Sequence, residues 1–119
     1  MPVRSLHSPV LVWPRPAEVL AAAASWSRLQ MRERPKVVRI GVFGSYARGE
    51  AGVGSDLDLV ALVRDADQPF ERRGASWPVE ELPVPAELIV YTKAEWDSLL
   101  ASGSRFARVL RDEVHWLAP

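Results

Sequence analysis

Apolar residues recur at helical spacing in the first third of the chain. The repeat begins after Pro14 and Pro16, which a first helical turn tolerates, and we expect the helix to continue to about Arg34. Pro35 then ends it, because the residue before a proline disfavours helical geometry. The side chains that we expect to face the core are Val19, Ala22, Trp26 and Leu29.

Three short runs rich in β-branched and other apolar residues follow, and such runs are typical of strands. We expect strands at 37–43, 56–63 and 86–91. The first of them stops at Gly44, where Ser45 opens a short helical turn that continues through Arg48. Gly49 closes this turn, and a glycine-rich link leads to the second strand.

The segment 64–85 has four prolines and few apolar anchors, so only a short helix at 67–74 is expected there. Thr92 and Glu95 form a capping-box pattern, which predicts a helix that ends near Gly103. Ser104 then caps a last helix with apolar residues at Phe106, Val109 and Leu110, followed by a short apolar end at 114–117.

The order of elements, α-β-α-β-(α)-β-α-α, predicts an α/β (α+β) fold. We expect a small mixed three-stranded core sheet with helices packed on it, formed by one domain that spans residues 1–119.

Composition sets limits on location and partners. The chain is 48% hydrophobic and 25% charged, as in an ordinary globular protein, and its 15 basic residues balance 15 acidic ones. This balance gives no electrostatic reason to expect nucleic acid as a partner. There is no cysteine, no apolar run of the length that spans a membrane, and no secretory signal in residues 1–8. We therefore expect a cytoplasmic protein without a membrane partner.

Two acidic residues stand at the start of the second predicted strand. Side chains alternate across a strand, so Asp56 and Asp58 share one face, and Val60 and Leu62 continue that face as apolar residues. Two carboxylates beside a buried strand repel each other, and divalent cations such as magnesium reconcile them most simply. The alternative is a strand edge whose outer face is merely hydrated.

A glycine–serine bend precedes these acids, with Ser45 eleven residues before Asp56. A strand that ends in Gly44-Ser45 and turns into a helix aims backbone N–H groups and a hydroxyl beyond the strand tip, where phosphate can bind. Arg48, one turn later, is a forked donor for the same phosphates, and Ser55 can order the glycine-rich link. In the alternative interpretation, Ser45 only caps the turn and Arg48 is solvated.

The stretch GSYARGEAGVGSDLDLVALV resembles the signature of the DNA polymerase β-like nucleotidyltransferase superfamily, in which Gly-Ser is followed after a spacer by Asp-x-Asp. Ala47-Arg48-Gly49 and Ser55 make it most similar to the minimal nucleotidyltransferases (MNT), which are often antitoxin partners of HEPN-domain proteins. PAELIVYTKAEW is similar to the family's third strand and following helix, so the resemblance covers residues 37–100.

The resemblance implies a third acid on a neighbouring strand, where the family usually carries Asp. Glu87 is at the matching position, in Ala86-Glu87-Leu88-Ile89. Its additional methylene can displace the carboxylate by about 1 Å, and a displacement of that size can cost about a hundredfold in rate. The alternative for Glu87 is an outward-facing surface position.

The family mechanism implies two Mg²⁺ ions about 3.5–4 Å apart, held by the acids, with ATP as the donor. The residues that would be both catalytic and metal-binding are Asp56, Asp58 and Glu87. Gly44 and Ser45 would hold the outgoing phosphates, and Arg48 would neutralise their charge. Ser55 is the remaining expected contributor to nucleotide binding.

Several functions remain open at this point. The first is transfer of AMP from ATP to a hydroxyl of a HEPN-domain partner, because the chain leaves no room for a further domain that holds a small-molecule acceptor, as in aminoglycoside-modifying relatives. The second is a binding module, an antitoxin with a weakened or lost active site that acts by contact. A structural subunit without nucleotide contact is the third.

Other conspicuous residues are not interpreted as sites. His7 and His115 have no partner at zinc-binding spacing and are expected to be solvated or half-buried. Trp26 and Trp96 fall at core positions of helices. Trp77 lies in the long loop, where it can anchor the loop, stack on a base or contact a partner, and anchoring is the preferred interpretation.

Overall fold

The structure is a computed structural model that describes residues 3–4 and 11–119, with side-chain environments from residue 12 onward. A two-stranded ribbon joins β1 (Val3–Arg4) and β2 (Leu11–Val12) in antiparallel pairing. The expectation for His7, and most of the segment examined for a secretory signal, lie outside the described residues.

The first helix, α1 (Pro16–Glu33), begins and ends within one residue of its predicted bounds. Its buried side chains are Val19, Ala23, Trp26, Ser27 and Gln30. The prediction that Leu29 faces the core is wrong, because that side chain is 37% exposed, and Ala22 is only half-buried. The buried positions do not follow one straight line along the helix, so Gln30 faces the core in place of Leu29. The amide oxygen of Gln30 accepts a hydrogen bond from Arg34 Nε at 3.1 Å.

The main sheet has four strands where three were predicted. Its members are β3 (Val37–Phe43), β4 (Leu57–Val63), β5 (Ala86–Thr92) and β6 (His115–Ala118), and their order is β5-β4-β3-β6. The neighbours β4 and β5 run parallel, and the other two pairs are antiparallel. The predicted α/β class and the mixed sheet are confirmed, and one strand is added.

The additional strand comes from the segment predicted only as a short apolar end. β6 lies along β3, with Val42 opposite His115 and Ile40 opposite Ala118. This pairing forms because backbone N–H and C=O groups of β3 would otherwise be left without partners at an open sheet edge.

Three further helices connect and cover the strands. They are α2 (Ser45–Arg48), α3 (Lys93–Ala101) and α4 (Arg105–Glu113). The capping box predicted for α3 is present, since Glu95 N donates to Thr92 Oγ1 at 3.2 Å and Thr92 N donates to Glu95 Oε1 at 2.8 Å. Ser104 caps α4 by accepting a hydrogen bond from Ala107 N at 3.1 Å.

The sheet is covered on both faces. α1 packs on one face, where Val19, Ala23 and Trp26 meet the strands. α3 and α4 pack on the other face, where Trp96 and Leu110 meet Val60 and Leu62. The core positions predicted for Trp26 and Trp96 are confirmed. Within the described part of the chain, no helix combines the length and the apolar character needed to cross a membrane.

The segment between β4 and β5 has more apolar anchors than its sequence indicates. It forms two short 3₁₀ helices, at Phe70–Ser76 and Val79–Glu81, in place of the single helix expected at 67–74. Its buried residues are Trp77, Leu82 and Val84. Trp77 packs on Trp26 with ring centroids 6.1 Å apart, which confirms that it anchors the loop.

Candidate active site

The sheet register places two of the predicted acids side by side. Asp58 on β4 is the direct partner of Glu87 on β5 in the parallel pair. Paired residues of neighbouring strands project from the same face of a sheet, so both carboxylates stand on one face. Asp56 comes two residues before Asp58, just ahead of β4, and is exposed. Glu87 is also exposed, but it does not stand apart from the other acids.

The electrostatics of Asp58 show that this cluster is close enough to interact. Burial raises the pKa of the Asp58 carboxyl, and the charges of Glu87 and Asp56 raise it further. The Arg48 guanidinium opposes this rise. Without a bound cation, the ionised cluster is therefore under electrostatic stress, which a divalent ion or the proximity of Arg48 relieves.

Gly44 lies directly against the same carboxylate. It follows β3 with φ 77° and ψ −153°, a backbone region that is essentially restricted to glycine. A Cβ atom at Gly44 would lie 2.3 Å from Asp58 Oδ2. Phe43, just before it, is the direct partner of Asp58 in the antiparallel pair. The glycine–serine bend thus lies directly against the acid of β4.

Arg48 ends the one-turn helix α2 that begins at Ser45. Its Nε donates to Glu50 Oε1 and its Nη1 donates to Glu113 Oε1, both at 2.7 Å. Hydrogen bonds to Glu113 and then to Glu50 raise the pKa of Arg48. Sequence reasoning missed Glu113, because it lies 65 residues from Arg48 and follows no motif.

Ser55 organises the glycine-rich link. Its hydroxyl accepts a hydrogen bond from Gly52 N at 2.9 Å, and its carbonyl accepts one from the Tyr46 hydroxyl at 3.5 Å. Tyr46 is buried, so the link is tied to the core below α2. These contacts correspond to the ordering role expected for Ser55.

The donor chemistry of the site fits magnesium only in part. Among the residues that the structure describes, no three acidic or imidazole side chains converge tightly enough to form a preformed metal site. Magnesium does not need such a cage, because it commonly binds one or two carboxylates and completes its shell with water and substrate phosphates. The paired Asp58 and Glu87 therefore fit a magnesium ion that arrives together with a triphosphate.

A separate cavity of about 670 Å³ lies near the opposite end of β4. Val63, Asp65, Arg34 and Trp77 are among its lining residues, and none of the predicted site residues lines it. The acids therefore do not belong to this cavity.

Comparison with known proteins finds a family match that includes the bend and the acids. The sequence profile of the nucleotidyltransferase domain family matches residues 25–111. The fold is similar to that of a protein from Sulfolobus solfataricus to which a nucleotidyltransferase function is ascribed, with TM-score 0.61, 19% identity, and coverage of 85% of this chain and 80% of that one.

A chain from a toxin–antitoxin complex with AMP-PNP is also similar, with TM-score 0.56, 23% identity, and coverage of 79% of this chain and 71% of that one. At these identities the two structures establish a similarity of fold. Among curated proteins, none matches the sequence.

Proposed function

We infer that this chain, which belongs to the nucleotidyltransferase domain family, is of the minimal type within that family, and the similarity of its fold supports this. We propose that it transfers the nucleoside monophosphate of ATP to a hydroxyl group with the help of magnesium. The observation that carries this proposal is the direct pairing of Asp58 with Glu87, with Gly44 against the Asp58 carboxylate.

The acids supply the metal ligands in this proposal. Asp58 and Glu87 project from one face of the sheet, and Asp56 is close enough for its charge to raise the pKa of Asp58. Magnesium bound by these carboxylates, as two ions when the nucleotide is present, would offset phosphate charge and lower the pKa of the attacking hydroxyl. The raised pKa of Asp58 supports this role, because a cation would relieve the repulsion that contributes to it.

The bend and Arg48 supply the phosphate contacts. Gly44 has no side chain to keep a phosphate away from the backbone, and the first N–H groups of α2 have no partner within their own helix. Ser45 adds a hydroxyl, and Arg48 adds a guanidinium at the end of a side chain that is 45% exposed. Ser55 supports the phosphate site indirectly, through its hydrogen bond to Gly52 N.

The proposed reaction is an in-line displacement at the α-phosphorus. The acceptor oxygen forms a bond to that phosphorus, the bond from the phosphorus to the bridging oxygen of the β-phosphate breaks, and pyrophosphate leaves. Glu87 is exposed on the sheet face that it shares with Asp58, and it accepts the hydroxyl proton in this scheme. The gain in rate comes mainly from position and electrostatics.

A partner protein is the acceptor that the chain fits best. One of the similar folds comes from a toxin–antitoxin complex that contains AMP-PNP. We infer that the acceptor hydroxyl, such as that of a tyrosine, belongs to a HEPN-domain protein encoded by the neighbouring gene, and that the pair acts in the cytoplasm.

The test is a transfer assay with the protein encoded next to this chain. ATP labelled at the α-phosphate and ATP labelled at the γ-phosphate are each incubated with both proteins and Mg²⁺. We expect label on the partner from α-labelled ATP alone, and its loss with Asp56→Asn or Asp58→Asn. Asp97→Asn is the matched control, because Asp97 is an exposed acid on α3 that pairs with Lys93 outside the site.

Which phosphate of ATP delivers the label distinguishes nucleotidyl transfer from phosphoryl transfer. Label from γ-labelled ATP would indicate phosphoryl transfer and reject the proposal. Label that persists in Asp58→Asn would show that the acids do not carry the reaction. Glu87→Gln separates the third acid from the other two, and we expect it to lower transfer while the fold is retained.

A second candidate function is favoured by the substitution at Glu87. Glu stands where the family usually carries Asp, and the described acids do not form a preformed three-ligand cluster. The protein would then act as an antitoxin that neutralises its partner by contact. Formation of a tight complex without label, unchanged in Asp58→Asn, is the result that would establish this alternative.

A further inference from the structure

Arg48 is a long side chain at the end of a helix of only one turn, and it needs an external support to hold a defined position. From its contacts, we propose that Glu113 is a positioning residue that keeps the Arg48 guanidinium beside the acids, ready for the phosphates of the nucleotide. This inference rests on the proposed function.

Glu113 is the firmer of the two supports of Arg48. Its side chain is 19% exposed and sits at the end of α4, whereas Glu50 is 64% exposed and lies on the glycine-rich link. Both carboxylates accept from the guanidinium at 2.7 Å. An ion pair between exposed groups is weakened by the entropy cost of holding two flexible side chains and by screening from solvent. Both effects are smaller when one partner is held in place by its surroundings. Glu113 therefore sets the position of Arg48.

The two contacts leave Arg48 able to bind a further group. A guanidinium has five N–H donors, and the contacts to Glu50 and Glu113 use one on Nε and one on Nη1. The remaining donors are available for phosphate oxygens. The charge of Arg48 already acts on Asp58, so the guanidinium is held within electrostatic range of the acids.

The support comes from a part of the chain that the family profile does not reach. The match ends at residue 111, and Glu113 lies beyond it. His115, two residues later, pairs with Val42 of β3, so this segment is attached to the strand that leads into Gly44. The C-terminal segment of this chain thus completes a site whose other parts lie within the matched domain.

Nucleotide binding is the property that Glu113 should control. At metal sites, loss of an outer partner that orients a ligand costs about 10–100-fold in affinity, and we use the low end of that range for a guanidinium oriented in the same way. We expect Glu113→Gln to raise KM for Mg·ATP about tenfold, the low end of that range, with kcat changed much less. Glu113→Asp, which keeps the charge, should recover part of the loss, and Glu50→Gln should have a smaller effect.

The experiment measures KM and kcat for Mg·ATP with the full chain and its partner, and Kd for Mg·ATP and Mg·tripolyphosphate by calorimetry. Each Glu113 variant is made in the wild-type chain and in Arg48→Ala. We expect Glu113→Gln to weaken both ligands in the wild-type chain and to cause no further loss in Arg48→Ala. Circular dichroism confirms folding, and Glu113→Asp replaces Glu113→Gln if the latter does not fold.

The outcomes separate this inference from the function on which it rests. Affinities of Glu113→Gln within twofold of the wild type, or an equal loss in Arg48→Ala, would overturn the positioning role and leave nucleotide transfer intact. A wild-type chain that binds no Mg·ATP would overturn the proposed function, and the inference with it.

Discussion

The backbone of Gly44 stands so close to the Asp58 carboxylate that a Cβ atom would lie 2.3 Å from Asp58 Oδ2. Its φ of 77° and ψ of −153° are also closed to other residues in practice. One position thus has two requirements for glycine, one from the conformation of the bend and one from the acid. A side chain at position 44 would therefore have to displace the bend, the acid or both.

We therefore predict that Gly44→Ala lowers nucleotide transfer up to about a hundredfold, because the bend or Asp58 must move and a displacement of about 1 Å can cost that much in rate. The strained backbone should also lower the free energy of unfolding by about 1–3 kcal/mol. Kinetics and urea denaturation measure the two effects. Gly52→Ala is the control, since a Cβ there meets nothing within 4 Å. Equal behaviour of the two variants would contradict the prediction.

Asp58→Asn should separate stability from activity. Since burial, Glu87 and Asp56 raise the pKa of Asp58, the folded chain binds more protons than the unfolded chain at pH values between the ordinary 3.8 and the raised pKa. Stability therefore falls as pH rises through that window. We expect Asp58→Asn to melt at a higher temperature than the wild type at pH 7 without metal, and to lose transfer activity.

The difference in melting temperature between Asp58→Asn and the wild type should disappear at low pH. Below the ordinary pKa of 3.8, Asp58 is protonated in both states, so the melting temperatures of Asp58→Asn and the wild type should converge. Thermal denaturation at pH 7 and pH 3 tests this. Asp97→Asn, which loses only an exposed pair with Lys93, should show no gain at pH 7. A lower melting temperature for Asp58→Asn at pH 7 would refute the argument.

Trp77 should matter for stability rather than for nucleotide binding. Its ring is 5% exposed and packs on Trp26, whose Nε1 donates to Pro78 O at 3.0 Å. Truncation of a buried aromatic ring costs about 3–5 kcal/mol, so we expect a loss of that size for Trp77→Ala in urea denaturation. Phe70→Ala, in the same segment but 43% exposed, should cost far less. Similar losses for both would show that Trp77 is not the anchor.

The Glu95 carboxylate should contribute to resistance against acid. A hydrogen bond from Arg73, followed by one from Thr92 N, lowers the pKa of Glu95 from 4.5 to about 2. The stability that this provides is present above the unfolded value of 4.5 and is lost as pH falls towards 2. We expect Glu95→Gln to cost about 1 kcal/mol at pH 7, the scale of a helix cap, because the partly exposed pair is screened by solvent.

The matching measurement is urea denaturation of Glu95→Gln and the wild type at pH 7 and pH 2. The difference in unfolding free energy should shrink at pH 2, where the Glu95 carboxyl is about half protonated in the folded chain and almost fully protonated in the unfolded chain. Lys93 and Asp97 form an exposed pair on the same helix, and Asp97→Asn should show almost no cost at either pH. A difference for Glu95→Gln that is independent of pH would exclude the ionic contribution.

Much of the fold was predictable, because local patterns decide local structure. The strands at 37–43 and 86–91 and the helix from Pro16 follow from residue spacing within single elements. Thr92 and Glu95 lie three residues apart, so their capping box depends on nothing outside one helical turn. The turn from Ser45 to Gly49 is similarly local, with Gly49 in the left-handed region at φ 73°.

Other features depend on how distant segments pack, and the local sequence pattern does not predict them. Leu29 and Gln30 are neighbours, and the orientation of α1 on the sheet decides which one is buried. β6 becomes a strand because β3 offers unpaired backbone groups, a condition set by the whole sheet. Trp77 finds Trp26 across 51 residues of chain.

The sequence by itself determined the elements and the chemical inventory: an acid pair on one face of a strand and a glycine–serine bend before it. Tertiary structure decided which groups meet. The register of β4 and β5 puts Glu87 beside Asp58, and the return of α4 brings Glu113 to Arg48. The reason is physical: periodicity and capping act over a few residues, whereas register and helix packing minimise the free energy of the whole chain, so contacts between remote residues appear only when it folds.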